Sequence, residues 1–283
     1  MSQAKWNLIV DVANCTNCNN CTLAVQDEHV GNSFAGYAAE MPKHGHRWID
    51  IKRRERGQGT MTDVAYLPTM CQHCDDAPCI AAARDGAVKK RPDGIVVIDP
   101  DKSRGQTQIA DACPYGAIFW NNELEIPQHW LFDAHLLDTG WTEPRCVDVC
   151  PTGALRSVKI DDAAMQKIVQ DEALEPLRPD LKTRPRVHYK NLWRYAQCFI
   201  GGTVSAERDG IVDCVAGARI QLSQNGQTVA ETTTDGFGDF KFDRLDPDSG
   251  AYVIEIAADG MTPERREANL GESVNLGDIR MGG

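Results

Sequence analysis

The sequence predicts an α+β protein whose cysteine-rich first part is organised by metal and whose last part is an all-β sandwich. Ten of the 11 cysteines lie at or before Cys198, in short, spaced runs. From Thr203 onward, strand-like segments of partly alternating polarity are separated by Gly, Asn and Asp. We expect a metal-binding domain over 1–160, a helix with a wrapping connector over 161–200, and the sandwich over 201–283.

The composition excludes some classes of protein. The chain is 42% hydrophobic and 25% charged, as in ordinary globular proteins. Its net charge of −11 and the lack of a Lys/Arg block argue against nucleic-acid binding. No apolar run approaches the ~18 residues of a membrane span, and the N-terminal segment lacks a signal-peptide pattern. We therefore expect a cytoplasmic protein whose cysteines bind metal and do not form disulfides.

The first 160 residues contain few regular elements by pattern. Short strands are predicted over 7–12 (NLIVDV) and 94–100 (GIVVIDP), separated by cysteine runs and polar loops. Residues 161–175 (DDAAMQKIVQDEALE) predict a helix, because aspartates begin it and apolar residues recur at helical spacing. The Pro-rich stretch that follows, PLRPDLKTRPR, predicts a connector running over the surface.

The cysteines that carry chemistry fall into four runs. In the first, CTNCNNCTLAV, Val25 stands where the iron–sulfur spacing C-x2-C-x2-C-x3-C expects its last cysteine. The second, CQHCDDAPCIAAA, has Ala83 at that place. The third and fourth runs end in Cys113 and Cys150, and a proline follows each of them. In two-cluster ferredoxins, the cysteine before such a proline ligates the other cluster of the pair. The three-ligand runs supply Cys15, Cys18, Cys21, Cys71, Cys74 and Cys79.

Three ligands plus one spare, taken twice, give two complete four-cysteine sites and hence a double ferredoxin-like 4Fe-4S domain. Counting alone leaves open which spare serves which run. A pair of four-thiolate zinc sites is the main alternative, because CxxC pairs also serve zinc. Cys146 is unassigned and is expected to be a buried thiol. Cys198 and Cys214 are expected to be ordinary small buried residues.

Other candidate site residues carry weaker signals. His44, His46 and His73 are possible metal ligands, but such histidines more often lie on the surface or beside a ligand. The sequence has no dinucleotide fingerprint, P-loop, HExxH or G-x-S-x-G motif. No nucleophile–base set can be assembled, so we expect no catalytic site in this chain.

Seven stretches between residues 10 and 192 carry a family resemblance: VDVANCTNCNNC, GHRWIDIKRRERG, PTMCQHCDDAPC, DGIVVIDPDK, ACPYGA, DAHLLD and TRPRVHYKNL. Together they resemble the iron–sulfur subunits of the dimethyl sulfoxide reductase group of molybdopterin oxidoreductases. Within that group they are most similar to the small subunits of pyrogallol–phloroglucinol transhydroxylases and resorcinol hydroxylases. The C-terminal strands resemble carboxypeptidase-regulatory or transthyretin-like domains.

The resemblance implies a pairing of the first run with the fourth and of the second run with the third. One 4Fe-4S cluster is then held by Cys15, Cys18, Cys21 and Cys150, and the other by Cys71, Cys74, Cys79 and Cys113. It also implies an electron-transfer subunit in a heterodimer or higher assembly, with molybdopterin in a large catalytic partner that acts on phenolic aromatics. A free-standing ferredoxin-type carrier and a zinc-stabilised interaction protein are the alternatives.

The family pattern allows two further clusters, for which this chain lacks ligands. One would use the third run together with Ala83 and is wholly absent. The other would use position 25, a pair of cysteines near residue 130, and Cys146; the chain has Val25, Trp130 and Asp133 at these positions. We therefore expect two clusters, with the space of the third refilled by side chains.

Overall fold

The computed structural model describes residues 3–282. The chain divides into two compact units, the first of Met1–Lys52 with Tyr66–Leu192 and the second of Arg53–Ala65 with Trp193–Gly283. The helices are α1 Asn20–His29, α2 Pro78–Ala82, α3 Gln108–Asp111, α4 Ala134–Asp138, α5 Arg145–Asp148, α6 Asp162–Asp171 and α7 Trp193–Ala196.

Strands are more numerous than helices. The early strands are β1 Lys5–Asp11, β2 Ile49–Gln58, β3 Met61–Met70, β4 Val88–Lys90, β5 Val96–Ile98, β6 Phe119–Asn121, β7 Ile126–Gln128, β8 Leu155–Ile160 and β9 Val187–Lys190. The later strands are β10 Cys198–Arg208, β11 Ile211–Cys214, β12 Arg219–Gln224, β13 Gln227–Thr233, β14 Asp239–Leu245, β15 Gly250–Ala257, β16 Glu264–Leu270 and β17 Val274–Met281.

A three-stranded sheet anchors the first unit. Its central strand, β1, pairs antiparallel with β8 and parallel with β9. Five consecutive residues of β1 are buried, as expected of a strand covered on both faces. Helix α6 packs on this sheet, where Met165 and Leu174 form a buried cluster with Ile9. The Asp161 carboxylate accepts the Ala164 N–H at 2.9 Å and so caps α6, which confirms the predicted helix.

The ten-residue hairpin strands β2 and β3 were not predicted from the sequence. Much of their sequence, such as IDIKRRERGQ, is polar and does not alternate, because many of these side chains are exposed. Gly57 in this hairpin has φ +81°, and a Cβ there would overlap the Phe199 ring. Only glycine fits this position without displacing its neighbours.

Two four-stranded sheets form the sandwich of the second unit. In one, β10 pairs with β11, β14 and β17; the other has the order β13-β12-β15-β16. Side chains from both sheets form one buried cluster that includes Val204, Phe240, Ile220 and Ile254. Alternating burial along β12 and β15 matches the predicted period of two. The predicted all-β C-terminal domain is confirmed.

Candidate iron–sulfur sites

The first cysteine quartet surrounds a small cavity at the start of α1. Asn17 and Asn19 have left-handed backbone conformations (φ +59° and +62°), which turn the loop between the cysteines. Pro68 and Leu155 complete the apolar part of the wall. The thiols lining this cavity are those of Cys15, Cys18, Cys21 and Cys150. Of the two spare cysteines, the structure therefore brings Cys150 to the first run.

The second quartet lies in an apolar environment. Cys74 and Cys79 belong to a buried cluster with Val88 and Ile109, and the half-buried Cys113 packs against it. Pro78 is the first residue of α2, so its fixed φ positions Cys79 in the first helical turn. Cys113, the last cysteine of the third run, therefore lies beside the second run.

Burial raises the pKa of several thiols in the two quartets. Burial raises the pKa of Cys21 to about 11. Burial, followed by the proximity of Cys113, raises the pKa of Cys79 to about 12 and holds the pKa of Cys71 well above its ordinary value. Without metal these thiols are protonated at neutral pH, and thiolates would form only together with a positively charged group such as iron.

The donor chemistry of the quartets fits an iron–sulfur cluster. Each site offers four soft thiol ligands and a largely apolar wall, and thiolate is the ligand that iron–sulfur clusters use. Within residues 3–282, no three His, Cys, Asp or Glu side chains converge at the spacing of one bound metal ion. A core of four irons and four sulfides is larger than one ion, so its ligands stand further apart.

The residues that stand where the family pattern expects ligands of a third cluster are all buried. Val25 is 2% exposed, Trp130 0% and Asp133 1%, and Cys146 is also inaccessible. The Trp130 ring packs against Phe132, with centroids 4.8 Å apart and the ring planes tilted by 30°. Bulky apolar side chains thus occupy this part of the first unit.

Asp133 has a local structural role there. Its Oδ2 accepts the backbone N–H of Arg145 at 2.8 Å, at the first residue of α5. Its Oδ1 lies 3.9 Å from Nε2 of His29, a fully buried side chain that no sequence pattern had indicated. Burial, followed by the charge of Asp133, holds the pKa of Cys146 well above its ordinary value. Cys146 is the buried thiol that the sequence predicts.

Two residues distant in sequence, Lys90 and Val96, contact the second cysteine run, and sequence patterns did not indicate these contacts. Lys90 Nζ donates to the backbone carbonyls of His73 and Cys74 at 2.7 and 2.9 Å and pairs with Asp75 at 2.8 Å. His73 is buried, and its Nδ1 accepts the Val96 N–H at 3.1 Å. These contacts link the second cysteine run to the β4–β5 hairpin.

Comparison with known proteins identifies both domains. Residues 62–160 match the model of a 4Fe-4S dicluster domain, and residues 200–282 match that of a carboxypeptidase regulatory-like domain. The chain is 42% identical over 280 residues to the pyrogallol hydroxytransferase small subunit of Pelobacter acidigallici, covering 98% of this chain and 99% of the relative. The chain belongs to the family of pyrogallol hydroxytransferase small subunits.

More distant relatives of this chain are named as subunits of reductases. A tetrathionate reductase subunit of Salmonella typhimurium is 28% identical over 66% of this chain and 73% of the relative. A putative iron–sulfur subunit of a dimethyl sulfoxide reductase from Halobacterium salinarum is 28% identical over 66% of this chain and 79% of the relative. The resemblance drawn from the seven sequence stretches is confirmed.

The structure corrects one expectation about the cysteines. Cys198 is fully buried, as predicted, but Cys214 is exposed at the end of β11. All four residues of β11 are exposed, so this strand does not contribute to the sandwich core.

In the part of the chain that the structure describes, no helix has the length and apolar character to cross a bilayer.

Proposed function

We propose that this chain is the electron-transfer iron–sulfur subunit of a molybdopterin-dependent hydroxylase or transhydroxylase that acts on phenolic aromatics. The observation that carries the proposal is the grouping of eight cysteines, four and four, in a chain 42% identical to a pyrogallol hydroxytransferase small subunit. Such clusters exchange single electrons and catalyse no bond change of their own.

Two 4Fe-4S clusters are the proposed cofactors of this chain. The ligands of one would be Cys15, Cys18, Cys21 and Cys150, and those of the other Cys71, Cys74, Cys79 and Cys113. The chain's residues would hold the clusters, exclude water from the second site and set its electrostatic environment. Molybdopterin would be bound only in the partner, where the substrate would also bind.

The proposed partner is a large catalytic subunit, in a cytoplasmic heterodimer or higher assembly. Support comes from the relatives, which carry names of subunits of larger enzymes. An electron-transfer chain without a substrate site needs a second protein on which its electrons are used.

Purification of the tagged chain from its native host tests this proposal. We expect it to arrive with a chain several-fold larger, with iron in this chain and molybdenum in the complex. Recovery as a stable, iron-loaded monomer would instead favour a free-standing ferredoxin-type carrier. Zinc without iron would favour a zinc-stabilised interaction protein.

A further inference from the structure

Lys90, in β4, is bound to three consecutive residues of the second cysteine run. Its Nζ donates to the backbone carbonyls of His73 and Cys74 at 2.7 and 2.9 Å and to Oδ1 of Asp75 at 2.8 Å. A protonated amine has three N–H donors and a neutral amine has two, so three oxygen acceptors around one Nζ indicate the charged form. Lys90 therefore holds a positive charge against the loop that carries Cys74.

The surroundings of Lys90 limit how far water can weaken this charge. Its side chain is 21% exposed, and Val88 of the same strand packs in the buried cluster that contains Cys74 and Cys79. Bond lengths within one residue place the Cys74 sulfur no more than about 8 Å from Lys90 Nζ. This separation does not exceed the Debye length of about 8 Å at physiological salt, so a largely buried charge acts on the sulfur with little screening.

The ion pairs around Asp75 leave a surplus of positive charge. Arg186 comes from the connector that was expected on the surface, but it is 4% exposed. Its guanidinium binds Asp75 through two hydrogen bonds of 2.8 and 2.6 Å and pairs with Asp162 at 3.0 Å. Lys5 also pairs with Asp162, at 2.7 Å. Together with Lys90, these side chains are three cations and two carboxylates, a net charge of +1 in a chain of net charge −11.

We propose that Lys90 raises the reduction potential of the 4Fe-4S cluster in the second quartet by holding a positive charge beside Cys74. The inference rests on the proposed function, because it needs a cluster held by these cysteines. One-electron reduction adds one negative charge to the cluster and its four thiolates, so a nearby cation stabilises the reduced state more than the oxidised state. Lys90 is a positioning residue here: it neither ligates iron nor transfers a proton.

Redox titration of the iron-loaded chain with dithionite, followed by electron paramagnetic resonance, tests the inference. Cys74→Ala identifies the second cluster, because the signal of that cluster is the one lost. Lys90→Met keeps an unbranched side chain and removes the charge. We expect the equilibrium constant for reduction of the second cluster to fall about tenfold, which is a midpoint lower by ~59 mV for one electron.

Asp75→Asn separates the effect of charge from a loss of local structure. This substitution removes the negative partner of Lys90 and keeps an acceptor oxygen, so it should raise the midpoint that Lys90→Met lowers. A purely structural role predicts that both substitutions disturb the loop and move the midpoint in the same direction. Midpoints that move the same way in both variants would overturn the inference.

Lys89→Met is the matched control. Lys89 is the neighbouring residue of β4 and is exposed, so its substitution makes the same change in net charge without removing a contact to the second run. It should leave the midpoint of the second cluster unchanged. An equal fall in Lys89→Met and Lys90→Met would show a general effect of net charge and would overturn the assignment to Lys90.

Iron content separates failure of the inference from failure of the proposed function. Full iron in Lys90→Met with an unchanged midpoint would overturn the inference and leave the proposed function standing. A wild-type chain that binds no iron would overturn both. If Lys90→Met loses iron, the decision falls to Asp75→Asn, and an unchanged or lower midpoint in that variant would reject the inference.

Discussion

At the level of single residues, substitution of one proposed ligand at each site tests the ligand assignment. Cys74→Ala removes one ligand of the second quartet, and Cys18→Ala one of the first. Each should lower iron content by about four atoms, because a cluster short of one thiolate is not retained. Cys214→Ala is the matched control, since that thiol is exposed and far from either run in sequence. Full iron in Cys74→Ala and Cys18→Ala would refute the ligand assignment.

The raised thiol pKa values predict how cluster loading depends on pH. Cys21 and Cys79, with pKa values of about 11 and 12, are protonated at neutral pH in the metal-free chain. Each must release its proton on binding, so loading becomes more favourable as pH rises. Iron incorporation by the reduced, metal-free chain should be greater at about pH 8.5 than at about pH 6.5. Equal incorporation at both pH values would show that the thiols are not protonated beforehand.

The ligands could be predicted from sequence because their spacing reflects the geometry of one cluster. Their neighbours could not, because Thr183 lies 107 residues after Asp76 and reaches this loop only in the folded chain. The exposure of Cys214 could not be predicted from the sequence for a different reason. Its residue type favours burial, but whether a short strand faces the core depends on which strands it pairs with.

Among the secondary-structure elements, α5 is held at its first residue by Asp133, which stands where the family pattern expects a ligand of a third cluster. Asp133→Ala removes the acceptor of the Arg145 N–H and should lower the free energy of unfolding by about 1 kcal/mol. Iron content should not change. Asp133→Asn, which retains an acceptor oxygen, should be close to wild type in stability. A fall in iron in either variant would instead mark Asp133 as a cluster ligand.

The hairpin tip, residues 53–65, belongs to the same compact unit as the sandwich. Arg56, 1% exposed, pairs with Asp63 and Asp243. Its guanidinium lies 5.5 Å from the Phe199 ring. The hairpin therefore supplies a buried cation to the second unit, which explains a long polar strand that alternation could not predict.

Arg56→Ala should destabilise this second unit. The change removes the buried guanidinium that Asp63 and Asp243 share, although Asp63 still pairs with Arg194 and Asp243 with Lys241. We therefore expect a cost of about 2 kcal/mol, as for the loss of hydrogen bonds to a charged group. Urea unfolding of the full chain, followed by circular dichroism, should show a lower midpoint for the β-rich transition. Arg53→Ala is the control: its side chain is 60% exposed, so it should change stability by no more than about 0.5 kcal/mol. Equal midpoints in the two variants would contradict this role.

The molecule as a whole contains two cysteine quartets, and we propose that side chains fill the position where the family pattern allows a third cluster. Fold class and family were predictable from cysteine spacing and strand periodicity, which are local in sequence. Trp130 is buried against Phe132 and His73, contacts that sequence alone does not give. The proposed result is a chain with two clusters in place of the four that the family pattern allows.

The number of iron and acid-labile sulfide atoms per chain decides between two clusters and three. Two 4Fe-4S clusters predict about eight irons and about eight sulfides per chain in the anaerobically purified protein. About twelve of each would mean that the position of Val25, Trp130, Asp133 and Cys146 holds a third cluster, which would contradict the proposed count. Zinc without sulfide would contradict it as well.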